Sequence, residues 1–219
     1  MASTASFPRY TAVELAVDRV LHVLAVLLAV GGVAWLFLTT APTSGARKLI
    51  VLTVYGVGLV GMFVASAAYN SCCPSRRKEL LRRIDHAMIF VMIAGTCTPF
   101  AVSALPEGIG LLSCALVWIV AACGVVLTLA FPRRFERLLL TLYLGTGWTV
   151  FCMSWAYANN LSNSVLSLLF AGGMAYSCGA FVHAQGRLPF HNVAWHGLVV
   201  LGGSAHWAAV ANQIANWRG

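Results

Sequence analysis

The chain of 219 residues is 60% hydrophobic and only 9% charged, with a mean hydropathy of +0.83. A soluble domain carries about 25% charged residues, so the composition excludes a soluble globular protein and points to one polytopic membrane domain. The formal net charge of +8 is no nucleic-acid signature, because the basic residues sit in short loops between apolar runs, where they set topology.

The first nineteen residues hold Arg9, Glu14, Asp18 and Arg19. They lack the cationic start and short apolar stretch of a cleaved signal, so the first apolar run is expected to remain as a span. A helical span needs about 20 apolar residues. Seven runs qualify, near 18–40, 49–69, 85–105, 109–131, 137–157, 164–184 and 193–213. Between them stand Pro42 with Gly45, Pro74, Pro106 with Gly108, Pro132, Asn159 with Asn160, and Gly186 with Pro189. Backbone groups in lipid must be satisfied within the segment, so the spans are helices. The fold class expected is an all-α membrane protein, a seven-transmembrane helix bundle. Its organisation is a cytoplasmic segment 1–17, a single membrane domain 18–213 and a short tail 214–219.

Charge orients the bundle. Arg9, Arg19, the run Arg76, Arg77, Lys78, Arg82 and Arg83, then Arg133, Arg134, Arg137 and Arg187 fall on one side. Only Arg47, Lys48 and Arg218 fall on the other. The positive-inside rule then puts the N-terminus in the cytoplasm and the C-terminus outside. A multi-pass protein of the plasma membrane is expected, with an organelle membrane as the alternative.

With that orientation, polar residues of four helices converge on the cytoplasmic side. Glu14, Asp18 and His22 lead into the first span, and Ser66 and Asn70 end the second. Asp85 and His86 open the third, and His191, Asn192 and His196 open the seventh. The i, i+4 spacings Glu14–Asp18–His22, Ser66–Asn70 and Asn192–His196 put each set on one helix face. Ionisable groups at the mouth of an apolar run are costly and mark sites. Each also has a plainer reading. Asp85 is a candidate N-cap of the third helix, paired with Arg82 or Arg83. His22 suits a hydrogen bond between helices rather than metal binding. His206 lies ten residues past His196, about 15 Å along the helix, too far to share a ligand set with it. Pro99 is expected to kink the third helix, with Thr96 and Thr98 available to satisfy the carbonyls it frees. Of seven cysteines, only the adjacent Cys72 and Cys73 invite chemistry.

The segments ELAVDRVLH (14–22), SAAYN (66–70), LRRIDHAMIFVMIAGTCTPF (81–100), YLGTGW (143–148) and GRLPFHNVAWHGLVVLGGSAH (186–206) together resemble the hemolysin III group, relatives of the progestin and adipoQ receptors in a superfamily that includes alkaline ceramidases. The resemblance implies a seven-helix fold with a cytoplasm-facing zinc site. Zinc there is held by one histidine at the end of the second span and two at i, i+4 in the seventh, with a serine and an aspartate nearby. His196, Ser66 and Asp85 match that pattern. Asn70 and Asn192 stand where two of the three histidines belong, and an amide oxygen is a poor zinc ligand.

The expectation is therefore an altered zinc site. Its candidate metal ligands are His196, His191 and Asp85, with Cys72 or Cys73 as substitutes. Asp85 and Ser66 are candidate catalytic residues, and Asn70, Asn192 and His86 would contact a ligand. Zinc is the one cofactor implied, and membrane lipids and a lipid-like ligand are the partners. The function expected is a receptor or sensor of a lipid-like ligand. The alternative is a zinc-dependent hydrolase of a lipid amide or ester, and a lesser one is membrane perturbation. The missing histidines leave enzymatic activity an open question.

Overall fold

A computed structural model describes residues 10–156, 160–185 and 188–217. Arg9, Arg187 and Arg218 of the charge pattern, most of the 1–17 segment, Tyr157 of the predicted fifth span, and the loop residues Asn159 and Gly186 lie outside the described residues.

Within the described residues the fold is all-α. The helices are α1 (Ala12–Thr40), α2 (Ala46–Ser71), α3 (Arg76–Ala104), α4 (Glu107–Ala130), α5 (Glu136–Ala156), α6 (Asn163–Ala184) and α7 (His191–Asn216), with a 3-10 turn at Ala41–Thr43. Five of them, α1 to α4 and α6, are long and apolar enough to cross a membrane. The protein is an integral, multi-pass membrane protein. Each helix packs on its neighbours in sequence, and α1 also packs on α7, so the bundle closes on itself. Helix α3 is its centre: 67% of its apolar stretch is buried, against 22–44% in the other four apolar spans, and it touches α2, α4, α5 and α7.

Helix α3 starts nine residues before the predicted span. Ser75 caps it, accepting from the Lys78 N–H. Glu79 pairs with Arg82 at 2.9 Å and Arg83 at 3.7 Å, at i+3 and i+4. The basic run 76–83 is thus two helical turns, and the 29-residue helix, roughly 43 Å long at 1.5 Å per residue, outreaches the hydrocarbon core of about 30 Å. Two expectations fail for this reason. Asp85 lies in the third turn and caps nothing. Arg82 and Arg83 do not pair with it: the buried Arg82 reaches Glu79 and Glu136 (3.1 Å). Glu79 also holds Arg133 at 2.9 Å, fastening the α4–α5 turn, where Arg133 takes a left-handed φ of 64°. Around Pro99 the Thr98 hydroxyl donates to the Ala94 carbonyl and Thr96 turns to the Met92 sulfur, so neither serves the Gly95 carbonyl that the proline frees.

Two glycines let α2 and α3 meet backbone to backbone. A Cβ on Gly58 would stand 3.2 Å from the Val91 carbonyl oxygen and 3.3 Å from the Met92 Cα, and one on Gly95 would stand 3.2 Å from the Val54 carbonyl oxygen. Backbone cannot swing aside, and overpacking a tight contact costs about 1–3 kcal/mol. Gly58→Leu is expected to cost about 3 kcal/mol, read as a fall in thermal midpoint in detergent. Gly31→Leu, whose Cβ meets open space, is expected to leave the midpoint in place.

Candidate metal centre

Three helix ends are tied at one level. At the start of α1, Thr11 and Glu14 form a reciprocal cap: the Glu14 N–H donates to the Thr11 hydroxyl (3.2 Å) and the Thr11 N–H to the Glu14 carboxylate (2.7 Å). The other Glu14 oxygen accepts from the Phe190 N–H at 2.8 Å, where the chain turns into α7 through a left-handed φ of 58°. Glu14 is thereby spent on capping. It aligns α1 with α7, so that Asp18 and His22, one turn and two turns on, face His196.

Asp18 and His22 are buried. The His22 Nδ1–H donates to the Asp18 carbonyl at 2.7 Å, which fixes the tautomer and turns the Nε2 lone pair toward α2. There Nε2 lies 3.2 Å from the Ser66 Oγ and accepts from the Asn70 amide at 3.3 Å. From α7, the His196 Nδ1–H donates to Asp18 Oδ1 at 2.7 Å and Asn192 reaches Asp18 Oδ2 at 3.5 Å. The two imidazoles meet edge-on, with centroids 4.4 Å apart. Asp18, His22 and His196 each offer a ligand atom, all within 4.8 Å of one another. Asp85 of α3 stands beside this group, lining the same cavity as Ser66, His22, His86 and His196.

The donor set fits zinc. Two imidazoles and one carboxylate are ligands that zinc favours, and three protein ligands leave a fourth position for water or substrate. The Nδ1–H of each histidine donates to Asp18, that of His22 to the backbone carbonyl and that of His196 to the carboxylate, so Asp18 orients both rings.

This arrangement overturns the expectation of a site degraded by two asparagines. The site is a complete Asp–His–His triad in which α1 supplies two donors that the second and seventh spans lack. His22 makes the expected bond between helices and also belongs to the triad. Asn70 and Asn192 are not bystanders, since each contacts a triad member. Other residues singled out from the sequence lie elsewhere. The His191 Nδ1–H donates to the Leu188 carbonyl, and its ring rests near Tyr10 and His183. The His86 Nδ1–H donates to the Arg82 carbonyl (2.7 Å), while its own carbonyl accepts from the Tyr143 hydroxyl (2.9 Å). The Cys72 sulfur faces the Cys73 carbonyl and Ser75. The triad's signal was present in the sequence as the i, i+4 pair Asp18–His22. What the sequence does not carry is the rotation of α1 toward α7.

A cavity of about 560 Å³ adjoins the triad, lined by His22, Ser66, Asp85, His86 and His196 and then by side chains of α2, α3, α5, α6 and α7. Its walls include Met62, Phe63, Ile89, Leu144, Phe151 and Val199, a lining suited to a lipid chain.

The sequence profile of the family described as Haemolysin-III related matches residues 14–207, a stretch that holds the whole triad. The chain belongs to the haemolysin III family. It is 33% identical over 196 residues to a protein named Hemolysin-3 homolog from Bacillus subtilis (strain 168), covering 90% of this chain and 92% of that one. It is 31% identical over 188 residues to one named Hemolysin-3 from Bacillus cereus, covering 86% and 85%. No solved structure matches.

Proposed function

We propose that this haemolysin III protein is a zinc-dependent membrane hydrolase that cleaves an amide or ester bond of a lipid. The observation that carries the reading is a His–His–carboxylate triad opening onto a largely apolar cavity in a membrane bundle. A receptor without turnover suits a broken ligand set, whereas these three donors are all present. We further infer that all seven helices span the bilayer, with the N-terminus cytoplasmic and the triad at the cytoplasmic ends. The polar residues His196, His206 and Gln213 lower the apolar character of α7 and face the bundle interior, where such groups belong in a membrane protein.

Asp18, His22 and His196 would hold the ion, which when bound would polarise a carbonyl and lower the pKa of water. The protein's own groups do the rest. The cavity wall receives the acyl chain and excludes water along it. The Asp85 carboxylate, free of Arg82 and Arg83, takes the proton of the attacking water. Ser66 lines the cavity beside that carboxylate and contacts His22 through its hydroxyl. His86 lines the cavity beside Asp85, where it contacts the substrate head. Asn70 and Asn192 steady His22 and Asp18.

Metal analysis together with a lipid panel tests this. Purified protein should carry about one zinc per chain and release fatty acid from a lipid amide or ester. Chelation should abolish release, and added zinc should restore it. Protein that binds no zinc under these conditions would sink the proposal.

A further inference from the structure

Away from the triad the cavity follows α7 from His196 to His206, about 15 Å at 1.5 Å per residue. Apolar side chains line this length, and polarity returns at its far end. There Tyr176 of α6 and His206 of α7 both line the cavity, their rings edge-on with centroids 5.3 Å apart. The His206 Nε2–H donates to the Leu169 carbonyl at 3.2 Å, as expected of a buried structural histidine. That bond leaves Nδ1 as a lone-pair acceptor with no hydrogen-bond partner among the described residues.

The Tyr176 hydroxyl is withdrawn from solvent and has no partner among the described residues. Tyr55 of α2 is wholly buried and has the same deficit, and the two phenols lie within electrostatic reach of each other. Beside them α7 carries Gly202 and Gly203. A Cβ on Gly203 would stand 3.2 Å from Phe63 and 3.5 Å from the Tyr176 oxygen, so the glycine keeps open the space next to that hydroxyl. Buried polar groups without partners are costly and rare. The Tyr176 phenol and the His206 lone pair at the end of one apolar cavity make a place built for a polar oxygen, with the Tyr55 phenol outside the cavity lining.

We propose that this end of the cavity is a second recognition point, which binds a hydroxyl carried on the lipid chain about 15 Å from the triad. A hydroxyl suits the site better than a carbonyl, because it can donate to His206 Nδ1 and accept from a phenol at once. The substrate class is then a lipid whose chain is hydroxylated in its middle. That assignment of substrate rests on the hydrolase reading, while the binding preference itself does not.

The test compares binding of 12-hydroxystearic acid and stearic acid to the purified full-length protein in detergent, with and without zinc. The wild type is expected to prefer the hydroxylated acid by about tenfold, the scale of one net hydrogen bond at a buried site. Tyr176→Phe should erase the preference and leave stearic acid affinity unchanged. Tyr55→Phe, which keeps the ring volume, should reduce it. A wild type that does not discriminate overturns the proposal. So does an unchanged preference in Tyr176→Phe, including the case where that variant only gains thermal stability, as it would if the phenols met nothing but water. Retained preference in a protein that never hydrolyses lipid overturns the hydrolase reading and leaves the recognition point standing.

Discussion

Replacing His196 with alanine is expected to weaken zinc binding by more than about a hundredfold and to abolish lipid hydrolysis. Loss of even an outer partner of a ligand costs about tenfold to a hundredfold in metal affinity, and His196 is the one donor of the triad not on α1. Without it, Asp18 and His22 remain as a two-point site. The buried Asp18 carboxylate also loses its 2.7 Å partner and keeps Asn192 at 3.5 Å and His22 at 3.6 Å. The variant should therefore be less stable as well, and stability alone must not be read as metal loss. His196→Gln, which keeps a donor near Asp18, serves as the folded control. The measurement is metal content after gel filtration, together with the zinc-induced rise in thermal midpoint. A ligand that binds only the folded state raises that midpoint with its concentration over Kd. Wild type should respond to zinc and both variants should not. His191→Ala should keep zinc and turnover, because its ring is engaged with Leu188, Tyr10 and His183. Zinc retained at wild-type affinity in His196→Ala would mean that the ion sits elsewhere.

Much of this architecture can be read from apolar run length, and the limits of that reading are physical. Hydropathy reports where lipid is, while helix ends are set by caps and ion pairs. That is why α3 begins at Arg76 and not near Asp85: Ser75 caps it and Glu79 gathers Arg82, Arg83 and Arg133. The same ion pairs draw the arginines away from Asp85 and leave its carboxylate beside Ser66 and the triad. The convergence of polar residues from α1, α2, α3 and α7 followed from loop lengths and charge. Which of them would touch did not, since that depends on the rotation of each helix about its axis. Glu14 and Asp18 share a face, yet one caps two chain ends and the other meets two imidazoles. The family resemblance implies histidines at 70 and 192, and here donors of α1 stand beside both positions, His22 against Asn70 and Asp18 against Asn192.

That substitution of one helix for another makes Asn70 and Asn192 the most informative pair to change. Asn70 donates one amide hydrogen to the Ser66 carbonyl at 3.0 Å and points another at the His22 Nε2, 3.3 Å away, the lone pair that a metal would use. Asn192 stands 3.5 Å from Asp18 Oδ2. Each amide therefore abuts a donor and competes with an ion for it. In Asn70→His combined with Asn192→His, two imidazoles replace the competing amides. Zinc affinity is expected to rise at least about tenfold, the smallest step that a change in a metal's ligand surroundings usually produces. Zinc takes four ligands in closed sites and keeps one position open where it catalyses. Triad plus added imidazoles fills that position, so turnover should fall as affinity climbs. A competition titration against a chromophoric chelator measures the first change, and fatty acid release measures the second. Opposite signs are the signature of a working three-donor site. Higher affinity with higher turnover would mean that the native triad is incomplete, and no gain in affinity would place the ion away from Asp18 and His22.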